Sequence, residues 1–518
     1  MNYTIKEIIE RTKDLNQKVK LNGWVNVFRN LGKIAFIELR DLSGKIQIVV
    51  TDKEIVSRLK DLTPESCISV IGVLQKKQGS EKDLELLASE VIVHSIAREV
   101  PFNNTNVNEI NPTEETILKN RVLYLRTDKV QKNMILRSKI TKIVRDYLFN
   151  LDFNEIETPI LGKSTPEGAR DYLVPSRINQ GKFYALPQSP QLYKQLLMVA
   201  GYNRYFQIPK CFRDEDLRSD RQPEFTQIDL EMSFIEEEDI QEVIEGLLKT
   251  IWKEVKGIEY KEPFMKIPYD EVIHKYGSDK PDLRCGLEFQ EKNGIVYFET
   301  ENKSEIISYL SDKKSIEYKI EENKMIISVN KPKEEYIYKP YIDLGTVRSD
   351  IAKILGLNKG EDKFLWVVDF PMFEYSETEK RFMAMHHPFT QPKNINDQEA
   401  KMKSRGYDIV LNGTELGGGS IRIHDRDMQR KIFTLLGLNE EQIITNFGFL
   451  LDAFNKGVPP HGGLALGLDR LVMLLCGEDS IREVIAFPKS KAAEGLMENS
   501  PSEIDKQKLD DLGLQLKK

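Results

Sequence analysis

The chain has 518 residues, of which 40% are hydrophobic and 30% charged, and this balance excludes an intrinsically disordered protein. Its net charge of −7 argues only weakly against a nucleic-acid partner, because phosphate contacts need no more than a local basic patch. Four widely separated cysteines argue against a disulfide framework and a zinc site. No segment has the apolar length of a membrane span, and the first residues carry no targeting signal, so we expect a cytoplasmic protein of two to four domains.

Residues 1–105 have the pattern of a small β-barrel. After a short leading helix, strands are predicted over Lys18–Phe28, Ile34–Asp41, Lys45–Val50, Cys67–Leu74 and Leu84–Ser95. Five short strands are typical of an OB-type barrel, whose sheet face binds single-stranded nucleic acid. Phe36 and Gln47 could supply a stacking ring and a base-reading amide, although the pattern alone favours a core position for Phe36.

The next segment, 106–132, follows a polar, asparagine-rich stretch and is predicted to be a hinge. Beyond it, apolar residues from Leu136 to Leu151 keep helical spacing, and Glu155–Leu161 is predicted to be a strand that contains one proline.

A charged hairpin is predicted between Phe212 and Asp229. Three arginines lie in or beside its loop, and arginine forks match phosphate oxygens. On the return strand an aromatic ring, an amide and two carboxylates share one face, which is more polar chemistry than packing requires. The alternative is a solvated loop with surface ion pairs.

Two further segments stand out towards the end of the chain. Residues 285–363 are charge-rich and contain two β-like stretches, at 294–298 and 324–329. In Gly462–Leu475 a small apolar strand turns into a helix, and Arg470 is its only cation. A lone arginine in an apolar segment is costly unless it is paired or binds an anion.

The helix with its proline strand, the charged hairpin and the strand-to-helix unit occur in the order of the three motifs of class II aminoacyl-tRNA synthetases. Over nearly its whole length the chain resembles the bacterial-type aspartyl-tRNA synthetases. The segments that carry this resemblance are Ser164–Tyr172, Leu186–Gln195, Arg218–Pro223, Met385–Phe389 and Asn412–His424.

The resemblance implies an α+β multidomain fold and a homodimer formed through the first motif. It implies a five-stranded OB-type barrel that binds the anticodon at 1–105 and a hinge at 106–132. An antiparallel catalytic sheet flanked by helices is expected in 133–284 and 364–518, with a small, shortened α/β insertion at 285–363. The residues expected to read the anticodon are Arg29, Phe36 and Gln47.

The resemblance also implies an ATP site. The expected ATP-binding residues are Arg213, Glu215, Arg221, Phe225, His387, Glu415 and Arg470. Arg213 should hold the α-phosphate as a catalytic residue, and Arg470, also catalytic, should sandwich the adenine with Phe225. Glu415 with Asp408 should hold Mg²⁺, although Asp408 could equally be a surface acid. No protein nucleophile is expected, because the carboxylate of the substrate attacks ATP itself.

An aspartate site is implied as well. Its expected residues are Glu167, Ser189, Gln191, Lys194, Gln227, Asp229, His386 and Arg422. Arg422 and Lys194 should read the β-carboxylate, and Asp229 should meet the ammonium group. Either member of the histidine pair could be the substrate contact, or both could be surface residues. We assign no functional role to His94, His274, His424 and His461.

The function that the resemblance implies is ligation of aspartate to tRNA(Asp). Alternatives are a relaxed enzyme that also charges tRNA(Asn), an asparaginyl or lysyl relative, and a non-catalytic RNA-binding paralogue. Arg422 and Lys194 count against the relatives, and the intact phosphate-binding set counts against the paralogue. Leu31 leans weakly towards strict tRNA choice.

Overall fold

Two units make up the fold: Met1–Arg137 with Arg482–Ser502, and Ser138–Ile481 with Glu503–Lys518. The computed structural model describes residues 2–10, 16–77, 79, 83–166, 168–313, 316–322, 324–332, 338–376 and 380–517.

The N-terminal strands close into the predicted barrel. They are β1 (Asn2–Tyr3), β2 (Lys18–Asn30), β3 (Ala35–Arg40), β4 (Lys45–Val50), β5 (Cys67–Lys76) and β6 (Leu84–Ser95). Strand β2 pairs with both β3 and β5, and β6 pairs with both β4 and β5, so the ring of five strands is closed. The inward residues of each strand are apolar and buried, among them Leu21, Ile37 and Val70.

Short helices complete the first unit. They are α1 (Ile5–Glu10), α2 (Lys53–Arg58), α3 (Val107–Ile110), α4 (Glu114–Lys119) and α5 (Arg121–Tyr124). Helix α2 was not predicted; Asp52 caps it by accepting hydrogen bonds from two backbone N–H groups, and its apolar side is buried. The segment predicted to be a hinge contains α3, α4 and α5, and the buried guanidinium of Arg121 donates to the carbonyl oxygens of Arg482, Ile485 and Ala486.

A mainly antiparallel sheet is the centre of the second unit. Its strands are β7 (Asn154–Glu155), β10 (Arg204–Gln207), β11 (Lys210–Phe212), β12 (Glu224–Ser233), β13 (Met265–Pro268), β18 (Phe364–Val368), β21 (Gly406–Leu411), β22 (Thr414–Ile421) and β23 (His461–Gly467). The order is β13-β18-β21-β22-β23-β12-β10-β7, with β11 beside β12. Gln227, Asp229 and Glu231 of β12 lie opposite glycine or alanine of β23. These small partners leave room above the polar face of β12.

Helices flank this sheet and small hairpins extend from it. The helices are α6 (Asp128–Phe149), α7 (Gln191–Val199), α8 (Glu237–Lys256), α9 (Tyr269–Tyr276), α10 (Ser304–Leu310), α11 (Lys339–Ile354), α12 (Arg426–Leu435), α13 (Glu440–Phe454), α14 (Leu468–Cys476) and α15 (Lys506–Asp511). The two hairpins pair β8 (Leu173–Pro175) with β9 (Phe183–Ala185), and β19 (Phe373–Ser376) with β20 (Arg381–Ala384). In the described part of the chain, none of the helices has both the length and the apolar character of a membrane crossing.

The strand predicted over Glu155–Leu161 is wrong in extent, because β7 ends at Glu155. The N–H of Ile156 still donates to the carbonyl of Phe206, but Thr158 turns to the side chain of Gln207. Pro159 has no N–H to extend the ladder.

Both β-like stretches of residues 285–363 are strands of a separate sheet. Its members are β14 (Gln290–Lys292), β15 (Ile295–Glu301), β16 (Glu317–Glu321) and β17 (Lys324–Asn330), in the order β14-β15-β17-β16. One face of β15 and β17, which includes Phe298 and Ile327, packs in a core shared with Leu344 and Ile351 of α11.

Candidate active site

A cavity of about 430 Å³ lies above the central sheet of the second unit. The predicted residues that line it are Ser189, Gln191, Lys194, Arg213, Glu215, Arg221, Phe225, Gln227, Asp229, His386, His387, Asp408, Glu415, Arg422 and Arg470. Glu167, the remaining predicted substrate residue, lies outside the described residues. Segments that are far apart in the chain therefore contribute to one cavity, as the sequence predicts.

Helix α7 supplies a buried cation to the inner end of the cavity. Lys194 is buried together with Gln191 and Gln195, and Gln191, three positions before it, lies on the same side of the helix. Its Nζ lies 2.7 Å from Oδ1 of Asp229 and 3.2 Å from Oε2 of Glu231. A lysine in so buried a position requires such partners, because an unpaired ammonium group would lose its hydration without compensation.

Arg422 is the second buried cation, with 1% of its surface exposed. It follows directly after β22, which ends at Ile421. Its Nε and Nη2 donate to the two oxygens of Glu231 at 2.9 and 3.1 Å. Its Nη1 lies 2.7 Å from Oγ of Ser420 and 2.5 Å from Nε2 of His387. Glu231 thus binds the edge of the guanidinium formed by Nε and Nη2, and Nη1 points towards His387.

The two carboxylates of this network differ in protonation behaviour. Burial raises the pKa of Asp229, and Lys194 only partly offsets this effect. Burial also acts to raise the pKa of Glu231, but Arg422 and Lys194 together outweigh it and hold the pKa below its usual value. Within the described residues, Oδ2 of Asp229 is a buried acceptor with no hydrogen-bond partner. An ammonium group is a suitable donor for this atom.

Arginines dominate the hairpin side of the cavity. The guanidinium carbon of Arg213 lies 5.1 Å from the ring centroid of Phe225. Arg221 pairs with Glu215 at 2.9 Å, and both side chains are partly exposed.

Arg470, the lone cation of its apolar segment, has hydrogen-bond partners. Its Nη1 donates to the carbonyl of Glu415 at 2.6 Å, and its Nη2 lies 3.1 Å from Oδ2 of Asp220. Its Nε is buried without a partner among the described residues. Two of its five N–H groups are therefore used by the protein, and the buried Nε–H is among those that remain for another acceptor.

Two carboxylates from neighbouring strands face the cavity. Asp408 of β21 has only 13% of its side chain exposed, so the alternative of a surface acid is wrong. An ideal Cβ on Gly418, its cross-strand partner, would lie 2.2 Å from Oδ1 of Asp408, so glycine is needed there to leave room for the carboxylate. Glu415 of β22 is more exposed and lies 3.8 Å from Nζ of Lys280.

These carboxylates fit Mg²⁺ of the kind that accompanies a nucleotide. Within the described residues no cluster of three or more candidate ligands would form a protein-only metal site. Magnesium, however, commonly uses one or two carboxylates together with phosphate oxygens and waters. Asp408 and Glu415 therefore fit an ion that arrives with a polyphosphate.

The adjacent histidines are not surface residues, because both line the cavity. Nε2 of His386 lies 3.1 Å from Oδ1 of Asp408. Burial acts to lower the pKa of His386, but Asp408 and Glu415 outweigh it and raise the pKa. For His387, burial and the charge of Arg422 lower the pKa well below its usual value, which agrees with a neutral ring that accepts from Arg422. His387 thus lies beside the predicted aspartate reader, and His386 lies beside the predicted metal ligand.

The barrel brings its three predicted residues to one face. Arg29 pairs across the strands with Phe36, and Glu38 pairs with Gln47, so the alternation of β3 places Arg29, Phe36 and Gln47 on the same side. Phe36 is half-buried and outside the core cluster, whereas its neighbour Ile37 is fully buried. The core position that the pattern favoured for Phe36 is therefore wrong.

Sequence reasoning missed several residues of the cavity. Glu231, which holds both buried cations, was placed on the polar face of β12 but given no role. Asp220 and Asp469 support the hairpin: Asp220 pairs with Arg470, and Oδ2 of Asp469 accepts from the N–H of Thr226 at 2.7 Å. The alternation of β12 was a signal for Glu231; nothing local indicated the other two.

Comparisons with known proteins agree with this geometry. A family model described as "tRNA synthetases class II (D, K and N)" matches residues 113–491, and one described as "OB-fold nucleic acid binding domain" matches residues 19–93. The chain is 44% identical to an aspartate–tRNA(Asp/Asn) ligase of Thermotoga maritima, over 98% of each protein, and 42% identical to an aspartate–tRNA ligase of Ruminiclostridium cellulolyticum, over 98% of this chain and 97% of the relative.

Solved structures show the same fold. An asparaginyl-tRNA synthetase from Pyrococcus horikoshii, complexed with asparaginyl-adenylate, superposes with a TM-score of 0.67 over 95% of this chain and 98% of its own, at 21% identity. The alignment with the Thermotoga protein spans 572 positions against 518 residues here, so that relative contains segments that this chain lacks.

Proposed function

This chain belongs to the class II tRNA synthetases of the aspartate, lysine and asparagine group, and we propose that it is an aspartate–tRNA ligase. In the first step aspartate and ATP form aspartyl-adenylate and pyrophosphate. In the second step the 3′ end of the tRNA takes the aspartyl group and AMP leaves.

The choice of aspartate is supported by the two buried cations at the inner end of the cavity, Arg422 and Lys194. A lysine side chain would add a positive charge to an end where Asp229 and Glu231 are already paired with the two cations. An asparagine side chain would bring an amide in place of the charged partner that buried cations favour, at a cost of several kcal/mol. The unpartnered Oδ2 of Asp229 suits the ammonium group of the substrate. Gln227, Ser189 and Glu167 are proposed to bind aspartate as well.

In the activation step an α-carboxylate oxygen of aspartate attacks the α-phosphorus of ATP, and the bond from that phosphorus to the pyrophosphate oxygen breaks. Catalysis consists of alignment and charge neutralisation, because no protein nucleophile takes part. Arg213 neutralises charge on the α-phosphate, and Arg221 with Arg470 binds the leaving phosphates. Phe225 and Arg470 hold the adenine ring, and Glu215 accepts from its amino group.

Mg²⁺ would be held by Glu415 and Asp408, and when bound it neutralises polyphosphate charge and orients the phosphates. His386 donates to Asp408 and so orients this carboxylate. His387, held against Arg422, belongs to the aspartate end. We therefore assign His386 to the ATP and metal side and His387 to the amino-acid side, on the basis of their contacts.

The barrel face of Arg29, Phe36 and Gln47 is proposed to bind the anticodon, with Phe36 as the base-stacking ring. We further propose a cytoplasmic homodimer that uses α6 and the segment after it, and the division into barrel (1–105), hinge (106–132), catalytic parts (133–284 and 364–518) and shortened insertion (285–363). Charging of tRNA(Asn) in addition to tRNA(Asp) is a second candidate, favoured by the name of the Thermotoga relative.

ATP–pyrophosphate exchange with aspartate, asparagine or lysine as the only amino acid tests the proposed function. We expect exchange with aspartate alone. Exchange with asparagine or lysine, or none at all with purified folded protein, would contradict it. Charging of purified tRNA(Asp) and tRNA(Asn) then separates strict from relaxed enzymes.

A further inference from the structure

His461 is a fully buried histidine that contacts neither phosphate-binding arginine nor metal candidate. It is the first residue of β23, its exposed fraction is 0%, and it does not line the cavity. No role was predicted for it from sequence. Its two ring nitrogens nevertheless have well-defined partners.

The contacts of His461 determine its tautomer. Nδ1 lies 2.8 Å from the carbonyl oxygen of Pro459, which can only accept, so Nδ1 carries the proton. Burial lowers the pKa of His461 to about 4, so the ring is neutral near pH 7. Nε2 must then be an acceptor, and it lies 3.0 Å from Nε2 of Gln195.

The tautomer of His461 sets the orientation of two glutamine amides on α7, the second of which lines the cavity. Because Nε2 of His461 accepts, Gln195 must present its NH₂ group to the histidine and its carbonyl oxygen to the other side. That oxygen accepts from Nε2 of Gln191 at 3.2 Å. Gln195 and Gln191 are both buried, with 0% and 6% exposure, so neither can exchange these partners for bulk water. Of the three residues, only Gln191 lines the cavity.

We propose that His461 is a positioning residue for amino-acid recognition: through Gln195 it fixes the amide of Gln191 so that this residue presents its carbonyl oxygen to the ammonium group of the substrate. This inference rests on the proposed function. If the acceptor at Nε2 of His461 were absent, the amide of Gln195 could turn over and the amide of Gln191 with it. The NH₂ group of Gln191 would then face the ammonium group, which it cannot bind.

Three variants test the chain of hydrogen bonds. His461→Met removes the imidazole acceptor. Gln195→Leu interrupts the chain of hydrogen bonds without changing His461. If His461→Met does not fold, Gln195→Leu alone tests the proposal. His461→Gln keeps an acceptor oxygen and is the conservative control. Each variant is compared with the wild type in aspartate-dependent ATP–pyrophosphate exchange, with succinate as a competitive inhibitor. Succinate has both carboxylates of aspartate and no ammonium group.

We expect His461→Met and Gln195→Leu to raise the KM for aspartate about tenfold, in line with one misdirected buried hydrogen bond. The KM for ATP and the Ki for succinate should stay within about twofold of the wild type, and His461→Gln should restore most of the aspartate affinity. If His461 has only a structural role, the KM for aspartate and the Ki for succinate should rise together. That result, an unchanged KM for aspartate, or no recovery in His461→Gln would overturn the proposal.

The failure of the proposed function would have a different signature. If the wild-type protein lacked aspartate-dependent exchange, the function itself would be wrong. If the wild type is active and the variants do not separate aspartate from succinate, only the role of His461 is wrong. As a further check, His461→Met is combined with Gln191→Ala. In this background His461→Met should not change the KM for aspartate, because the residue that His461 orients is absent.

Discussion

The ammonium group of Lys194 lies 2.7 Å from the carboxylate of Asp229, and at most 2% of either side chain is exposed. The pair connects α7 to the central strand β12 across a separation of 35 residues. Glu231 lies on the other side of the same ammonium group, at 3.2 Å, and also holds Arg422. The inner end of the cavity is therefore one ionic network in which no member can be removed without leaving a buried charge.

Lys194→Met should destabilise the protein and abolish aspartate activation, because it leaves Asp229 unpaired. We expect the free energy of unfolding at pH 7 to fall by about 3–5 kcal/mol, measured by urea unfolding. The control is Lys142→Met, which removes the exposed pair of Lys142 with Asp146 and should leave the free energy of unfolding nearly unchanged, because both side chains are solvated. Equal effects of the two substitutions would contradict the importance of the buried pair.

Arg422→Lys should keep a positive charge but lose the fork that binds Glu231 and its reach towards the substrate. We expect kcat/KM for aspartate to fall more than about a hundredfold, with the KM for ATP nearly unchanged. Arg405→Lys is a matched control, because Arg405 also pairs with glutamates, Glu236 and Glu237, but does not line the cavity. Comparable loss in both variants would mean that Arg422 has no special relation to aspartate.

Phe225→Ala and Arg470→Ala should each raise the KM for ATP about tenfold. The double variant should raise it by less than the product of the two, because both residues are proposed to hold the same adenine ring. The measurement is ATP-dependent exchange at saturating aspartate. Phe234→Ala, at a ring that is 72% exposed, serves as control and should have no effect. Full additivity would show that Phe225 and Arg470 do not share the adenine.

Phe36→Ala should affect tRNA binding and Ile37→Ala should affect stability, because neighbouring residues of β3 point to opposite sides of the barrel wall. Phe36→Ala should weaken tRNA binding by about 1–3 kcal/mol and leave ATP–pyrophosphate exchange unchanged. Ile37→Ala should leave the binding face intact but cost about 2–5 kcal/mol of stability. A loss of stability without a change in tRNA affinity in Phe36→Ala would contradict the anticodon assignment.

His461 should make the stability of the protein depend on pH. The pKa of His461 is about 4 in the folded state and near 6.5 in the unfolded chain, so between these values the unfolded state binds more protons. Above about pH 6.5 the histidine is neutral in both states and the stability has its full value. As the pH falls towards 4, protonation of the histidine in the unfolded chain lowers the free energy of unfolding by about 3 kcal/mol.

The free energy of unfolding of the wild type should therefore fall more steeply between pH 7 and 4 than that of His461→Gln, measured by urea unfolding at each pH. The charged or titratable neighbours Glu231, Arg422 and His424 are common to both proteins, so their contribution cancels in the comparison. Parallel curves would contradict a depressed pKa of His461.

The sequence by itself determined the features that depend on local periodicity. Alternation placed the barrel strands to within a few residues and put Phe225, Gln227 and Asp229 on one face of β12, and helical spacing placed Gln191 and Lys194 together. These patterns are readable because a side chain's face follows from its own backbone.

Only the tertiary structure decided which distant groups these faces meet. Glu231 and Arg422 are 191 residues apart, and Gln195 and His461 are 266 apart. Strand β23 enters the sheet between β12 and β22, although it is the last strand in the chain order, and this insertion brings His461 towards α7. Periodicity specifies that a residue is buried, but its hydrogen-bond partner depends on strand order, which is set by packing between segments that are remote in sequence.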